Sequence, residues 1–205
     1  MIKNPYRGKF VVIEGLDGSG QSTQAALLRD FLVKKGYKVV LTKEPTLDSK
    51  AGKKIRKILD KKIEIKPKKL QELFTQDRKE HLENLIIPSL KEGKIVISDR
   101  YFFSSFAYGA ADGLDLDWLI KVNKEFLLPD LTFILKVKPE VCLERIEKRN
   151  KERTLFEEKE KLAKVWQIYK ILPKKFKNVK VIEGEKAIKE VFSQVKNIVR
   201  SKQNI

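Results

Sequence analysis

The chain has 205 residues, 41% of them hydrophobic, which suits one globular domain with a sizeable core, and its one cysteine, Cys142, excludes an intrachain disulfide. No apolar run approaches a membrane span and residues 1–9 lack the apolar stretch of a signal peptide, so the expectation is a soluble cytoplasmic protein with no membrane association. The net charge of +17 comes from lysines scattered along the chain, without a single basic arm or an RNA-binding aromatic signature, which disfavours nucleic acid as the main partner and suits a protein with polyanionic substrates.

The predicted elements alternate. Residues 9–14 form a continuous, β-branched apolar run, read as a buried strand. A helix follows over 20–35, with Ala25, Leu28, Phe31 and Leu32 at helical spacing and Gly36 as its stop. A strand over 38–42, a loop over 44–48 and a short helix over 52–59 come next. A longer helix spans 68–91, kinked or broken at Pro88. Then come a strand over 94–98, helices over 104–111 and 116–126, and a strand over 131–136. A helix over 139–148 has Pro139 in its first turn, a charged stretch at 149–153 interrupts, and helix resumes over 155–172 with Pro173 helping to end it. A strand over 179–182 and a helix over 187–199 complete the chain. The pattern predicts a single α/β domain over 1–205, a five-stranded parallel sheet with helices on both faces. Ligands of such sheets bind beyond the carboxyl ends of the strands, which directs attention to the loops after residues 14, 43, 98 and 136.

The first of these loops is Gly15-Leu16-Asp17-Gly18-Ser19-Gly20-Gln21-Ser22-Thr23. It matches the phosphate-binding pattern G-x-x-x-x-G-K-[ST] with Gln21 in the lysine's place. Its glycines let the backbone wrap a phosphate, the following helix aims free N–H groups at it, and Ser22 can ligate Mg²⁺. The bland alternative is a tight strand-to-helix turn that binds nothing. Asp99-Arg100-Tyr101 ends the third strand, where the acid can hold Mg²⁺ and the arginine's planar fork suits a phosphate. Elsewhere such a triplet is usually a surface ion pair. Phe74 and Arg78 share a helix face and can stack a base and bind its edge. From spacing alone, a core phenylalanine beside a solvated arginine is the preferred reading. Cys142 reads as a core residue, His81 makes no metal site alone, and Trp118 and Trp166 read as helix packers.

Taken in order, Gly15–Thr23, Thr42-Lys43-Glu44-Pro45, Phe74 with Asp77-Arg78, Asp99-Arg100-Tyr101, Ser105 with Ala107-Tyr108, and Pro129-Asp130-Leu131 resemble the thymidylate kinase family of P-loop nucleoside monophosphate kinases. The resemblance runs from Lys9 to the last helix, and Glu14 matches the family's Glu-Gly before the loop. It implies a P-loop kinase fold with a short lid at about 148–156, and Mg²⁺-dependent conversion of ATP and dTMP to ADP and dTDP by a homodimer. Residues 15–23 would hold ATP, with Arg149 against its adenine. Asp17 would sit near the deoxyribose 3′-hydroxyl, and Arg56 and Arg100 would bind the acceptor monophosphate. Glu44 and Pro45 would belong to the dTMP site. Phe74 would stack on thymine, Arg78 would reach the base edge, Ser105 would face the base, and Tyr108 would crowd the place of a ribose 2′-hydroxyl. Asp99, with Ser22, would organise Mg²⁺.

Two departures stand out. Gly109 follows Tyr108 where many relatives carry a polar side chain, which bears on base selectivity. Gln21 removes a charge, so a cation must come from elsewhere: Arg153 delivered by the lid is the chosen candidate, with Arg149, Arg100 and the metal as others. The alternatives are a broad-specificity deoxynucleoside monophosphate kinase and a catalytically impaired nucleotide-binding protein. The retained Phe74, Arg78, Asp99, Arg100 and Tyr108 argue against the latter.

Overall fold

The computed structural model describes residues 1–148 and 155–201, without the side chains of 155–158. Five parallel strands form the central sheet: β2 (Lys9–Gly15), β3 (Val39–Lys43), β4 (Ile95–Asp99), β6 (Leu131–Lys136) and β7 (Val179–Glu183), in the order β3-β4-β2-β6-β7. A separate ladder pairs β1 (Ile2–Lys3) with β5 (Leu127–Leu128). The latter is invisible in the sequence, because two residues carry no period.

The helices are α1 (Gln21–Lys34), α2 (Lys50–Leu59), α3 (Pro67–His81), α4 (Ile87–Lys91), α5 (Phe102–Ala111), α6 (Leu116–Val122), α7 (Pro139–Glu147), α8 (Leu155–Lys175) and α9 (Ile188–Ser201). Strand alternation sorts them into two layers. Phe10 and Val12 of β2 join Leu90, Phe102, Phe106 and Val165 in one core. Val11 and Ile13 point the other way, to Ala25, Leu28, Val191 and Val195 of α1 and α9. Trp118 and Trp166 pack against the first core, as expected.

Several boundaries differ from the sequence reading, α6 ending at Val122 among them, and three have a plain physical cause. The helix expected over 68–91 is interrupted by a π-helical turn at Leu82–Ile86, where Ile87 N–H reaches back to Leu82 O. Pro88 has no N–H and crowds the preceding turn, so the ladder widens by one residue just ahead of it. Pro173 does not end α8, which runs to Lys175. The proline forfeits one bond of the last turn, and Phe176 N–H still donates to Leu172 O at 2.9 Å. Helix α2 starts at Lys50 because Ser49 caps it, its hydroxyl accepting from Gly52 N–H at 2.7 Å.

From β2 the chain first crosses to β3 on one side, and β6 and β7 are later added on the other. The reversal leaves a crevice at the carboxyl end of β2, and the phosphate-loop segment emerges into it.

Candidate active site

The loop after β2 has the conformation its glycines permit. Gly18 and Gly20 have φ of 81° and 97°. A Cβ on Gly18 would lie 2.5 Å from the Cys142 carbonyl oxygen, so α7 closes against the loop backbone. Arg145 of α7 braces it, donating to Ser19 O at 3.3 Å and Gly184 O at 3.2 Å. Cys142 is fully buried and burial pushes its thiol up to about 12, as befits a core residue. The loop encloses a cavity of about 170 Å³ bounded by Gly18, Gly20, Ser22 and Thr23 with Lys43 and Arg100.

Gln21 is 5% exposed. Its amide orientation follows from its neighbours. The NH₂ group donates to Leu16 O at 2.8 Å and Ser19 Oγ at 2.6 Å, and the carbonyl oxygen accepts from Arg100 Nη2 at 2.7 Å and Nε at 2.9 Å. The opposite orientation would set amide hydrogens against guanidinium hydrogens.

Arg100 occupies the left-handed region with φ of 74°. Its N–H donates to Ile13 O at 3.0 Å and its carbonyl accepts from Ser98 Oγ at 2.7 Å, which fix this backbone. The guanidinium also donates to Asp17 Oδ1 at 2.8 Å, Ser104 Oγ at 2.8 Å and Gly15 O at 3.2 Å. Burial opposes its charge, but Asp17 and the neighbouring groups outweigh that and raise its pKa. Tyr108 completes the cluster: its hydroxyl, kept protonated by burial, donates to Asp17 Oδ2 at 2.8 Å.

Asp99 Oδ2 accepts from Ser22 Oγ at 2.5 Å and lies 3.3 Å from Lys43 Nζ. Asp99 Oδ1 is buried and has no hydrogen-bond partner among the described residues. A hydroxyl beside a carboxylate with a spare oxygen fits a hard divalent cation such as Mg²⁺. Among the described residues no cluster of three His, Cys, Asp or Glu forms a metal site, so Ser22 and Asp99 would hold the ion together with substrate oxygens. Lys43, in the Thr42-Lys43-Glu44-Pro45 segment, has no role that the sequence alone assigns it. The available signal is its register opposite Asp99 at the strand ends.

A second cavity of about 130 Å³ opens beside the loop, bounded by Asp17, Pro45, Phe74, Arg78, Arg100 and Tyr108 among others. Phe74 is half-buried on its wall and belongs to neither core cluster. Arg78 is only 1% exposed, which corrects the expectation of a solvated arginine. The loop after β3 crosses α3 and brings Glu44, whose Oε2 accepts from Arg78 Nε at 2.8 Å. Asn123 Oδ1 at 2.6 Å and Ser105 Oγ at 3.1 Å accept from its other nitrogens, and the Tyr101 ring lies 5.2 Å away. A buried charge needs such partners, and helix spacing within α3 shows none of them. His81 Nδ1 lies 3.2 Å from Glu44 Oε1, so the lone histidine holds the carboxylate in place. Asp77 fastens the loop itself, accepting from Thr46 N–H at 2.8 Å and Ser49 Oγ at 2.5 Å.

Gln71 was not anticipated. It lines this second cavity, its buried Oε1 has no partner among the described residues, and a Cβ on Gly109 would lie 3.3 Å from its Cδ. Leu119 of α6 lies nearer still, its Cδ2 at 2.9 Å, so the missing side chain at 109 is filled first from α6 and then from α3. Arg56 is not brought to the cavity wall; it is exposed on α2 and borders a neighbouring groove that meets the cavity at Pro45. Arg149 and Arg153 lie outside the described residues.

Glu14 sits beneath the site, fully buried. Oε1 accepts from Tyr101 N–H at 2.9 Å, and Oε2 from Ser104 Oγ at 2.5 Å and Tyr169 Oη at 3.0 Å. Desolvation, opposed by Arg100 and these hydrogen bonds, pushes its carboxyl up to about 7.

The family model for thymidylate kinase matches residues 13–195. A probable thymidylate kinase of Pyrococcus horikoshii is 42% identical over 199 residues, covering 95% of this chain and 97% of that protein. A thymidylate kinase of Caldicellulosiruptor saccharolyticus is 38% identical, covering 94% and 96%, and a probable thymidylate kinase of Archaeoglobus fulgidus is 37% identical, covering 96% and 97%. With its parallel sheet, its phosphate loop and these matches along almost its whole length, the chain belongs to the thymidylate kinase family.

Proposed function

We propose that the protein transfers the γ-phosphate of ATP to the 5′-phosphate of dTMP, releasing ADP and dTDP. The observation that carries this is Arg100, whose side chain borders both cavities. A guanidinium between the phosphate loop and the acceptor cavity suits a reaction that brings two polyanions together.

An oxygen of the dTMP phosphate attacks the γ-phosphorus, a new P–O bond forms, and the bond to the bridging oxygen of ADP breaks. The attacking oxygen is already anionic, so no general base is needed. What the site must supply is in-line placement and cations against the spreading charge. The loop N–H groups at the start of α1 hold the donor phosphates. Bound between Ser22, Asp99 and the substrate, Mg²⁺ would neutralise phosphate charge. Phe74 supplies a flat face for thymine, and Arg78, locked by Glu44, Asn123 and Ser105, presents a fixed cation behind the base edge. Tyr108 and Asp17 close the sugar side and disfavour a ribose 2′-hydroxyl. Arg56 would need to swing from its groove to reach the acceptor phosphate. From the lid, Arg149 would lie against adenine and Arg153 would add a cation on closure, which also excludes water.

A homodimer in the cytoplasm belongs to the same reading. Leu47 and Leu85, 62% and 38% exposed beside the α2–α3 groove, are apolar surface available for such pairing. Among the described residues no helix is long and apolar enough to cross a membrane. The proposal is tested by ADP release with ATP, Mg²⁺ and dTMP; absence of dTMP-dependent release contradicts it.

A further inference from the structure

In a phosphate loop of the usual pattern, a lysine at position 21 would carry the positive charge. That ammonium and the Arg100 guanidinium would repel each other at the distances seen here. Gln21 removes the repulsion and replaces it with attraction. Its carbonyl oxygen takes two hydrogen bonds from Arg100, at 2.7 and 2.9 Å, while its NH₂ group is tied to Leu16 O and Ser19 Oγ inside the loop. Gly15 O and Ser104 Oγ hold Nη1, and Asp17 Oδ1 takes the remaining Nη2 hydrogen. Every N–H of the guanidinium fork thus has an acceptor.

Among the described residues, two cations border the loop cavity, Lys43 and Arg100. The Lys43 side chain is 52% exposed and bound to Asp99, whereas that of Arg100 is 13% exposed and held from several sides. Arg100 is the ordered, desolvated charge, the kind that acts most strongly on a transferring phosphoryl group.

We infer that Gln21 is a positioning residue that draws Arg100 into the phosphate loop, so that one guanidinium takes over the missing lysine's role while facing the acceptor phosphate. An entering phosphate displaces Asp17, the most exposed of the acceptors, and leaves the neutral Gln21 contact in place. The inference rests on the phosphoryl-transfer reading above.

The test compares the parent protein with Gln21→Met, which keeps shape but loses the acceptor, and Gln21→Lys, which completes the usual pattern. Steady-state kcat and KM for ATP and dTMP are measured, with thermal midpoints to verify folding. Both variants are expected to lower kcat by about tenfold or more, with smaller changes in KM. A kcat for Gln21→Lys at or above the parent's overturns the inference, as does a Gln21→Met kcat within about twofold of it. If the parent turns over no dTMP, the functional proposal fails, and the pairing is read separately from the Arg100 Nε–H resonance. That resonance should shift on Gln21→Met, and an unchanged resonance overturns the pairing.

Discussion

Arg78 and Glu44 form an ion pair in which Nε donates to Oε2 at 2.8 Å, with side chains only 1% and 3% exposed. Two charges so far from water are held by their mutual geometry, by the hydrogen bonds Arg78 donates to Asn123 Oδ1 and Ser105 Oγ, and by His81 Nδ1 against Glu44 Oε1. Glu44→Ala should therefore cost about 3–5 kcal/mol of folding stability by stranding the Arg78 cation. Glu44→Gln, which keeps an acceptor, should cost less. Urea denaturation of both variants checks this, and a loss below about 1 kcal/mol for Glu44→Ala would contradict the account.

Glu14 predicts a pH dependence. The folded form keeps its proton up to about 7, whereas an ordinary glutamate releases it near 4.5. Between those values the folded state binds more protons than the unfolded one, so stability falls as pH rises through the window and levels off above it. The expected decline is about 3 kcal/mol. Denaturation midpoints across the window should show the slope in the parent and lose most of it in Glu14→Gln. A parent curve rising from pH about 5 to about 7 would contradict it.

Asp99 predicts a metal effect. Its orphaned Oδ1 and its contact with Ser22 make it the carboxylate toward which the cation should gravitate. Asp99→Asn should raise the Mg²⁺ concentration for half-maximal rate by about tenfold to a hundredfold. A Mg²⁺ titration of the variant decides the matter; an unchanged midpoint would remove Asp99 from the metal site.

Gln71 predicts a base effect. It lines the acceptor cavity, and its buried Oε1 has no partner among the described residues. Gln71→Met, close in size and without the amide, should raise KM for dTMP by up to about tenfold while kcat moves little. Steady-state kinetics would show it, and an unaltered KM would mean that the amide does not meet the base.

The sheet, its parallel order and the phosphate loop were legible because their signals are local: a β-branched run, glycines at fixed spacing, a helix pattern after them. The acceptor site was legible in outline through the order of short motifs. The π-helical turn before Pro88 was not, since a proline marks trouble without saying how the backbone absorbs it. Arg78 reads as solvated when α3 is considered alone, because Glu44, Asn123 and Ser105 come from three other segments. The same limit hid the Gln21–Arg100 contact. The substitution at 21 was plain in the sequence, and Arg100 was one of several candidate replacements. Their meeting depends on β2 and β4 being neighbours with both loops leaving the same edge.

The central claim is that this site phosphorylates dTMP. Initial rates of ADP release, with ATP and Mg²⁺ against dTMP, dUMP, dCMP, dGMP and the ribose form of TMP, test it most directly. The account predicts turnover with dTMP above all others, and much less with the ribose form, where Tyr108 and Asp17 crowd the sugar. Equal rates across the panel, or no release with dTMP, would contradict it.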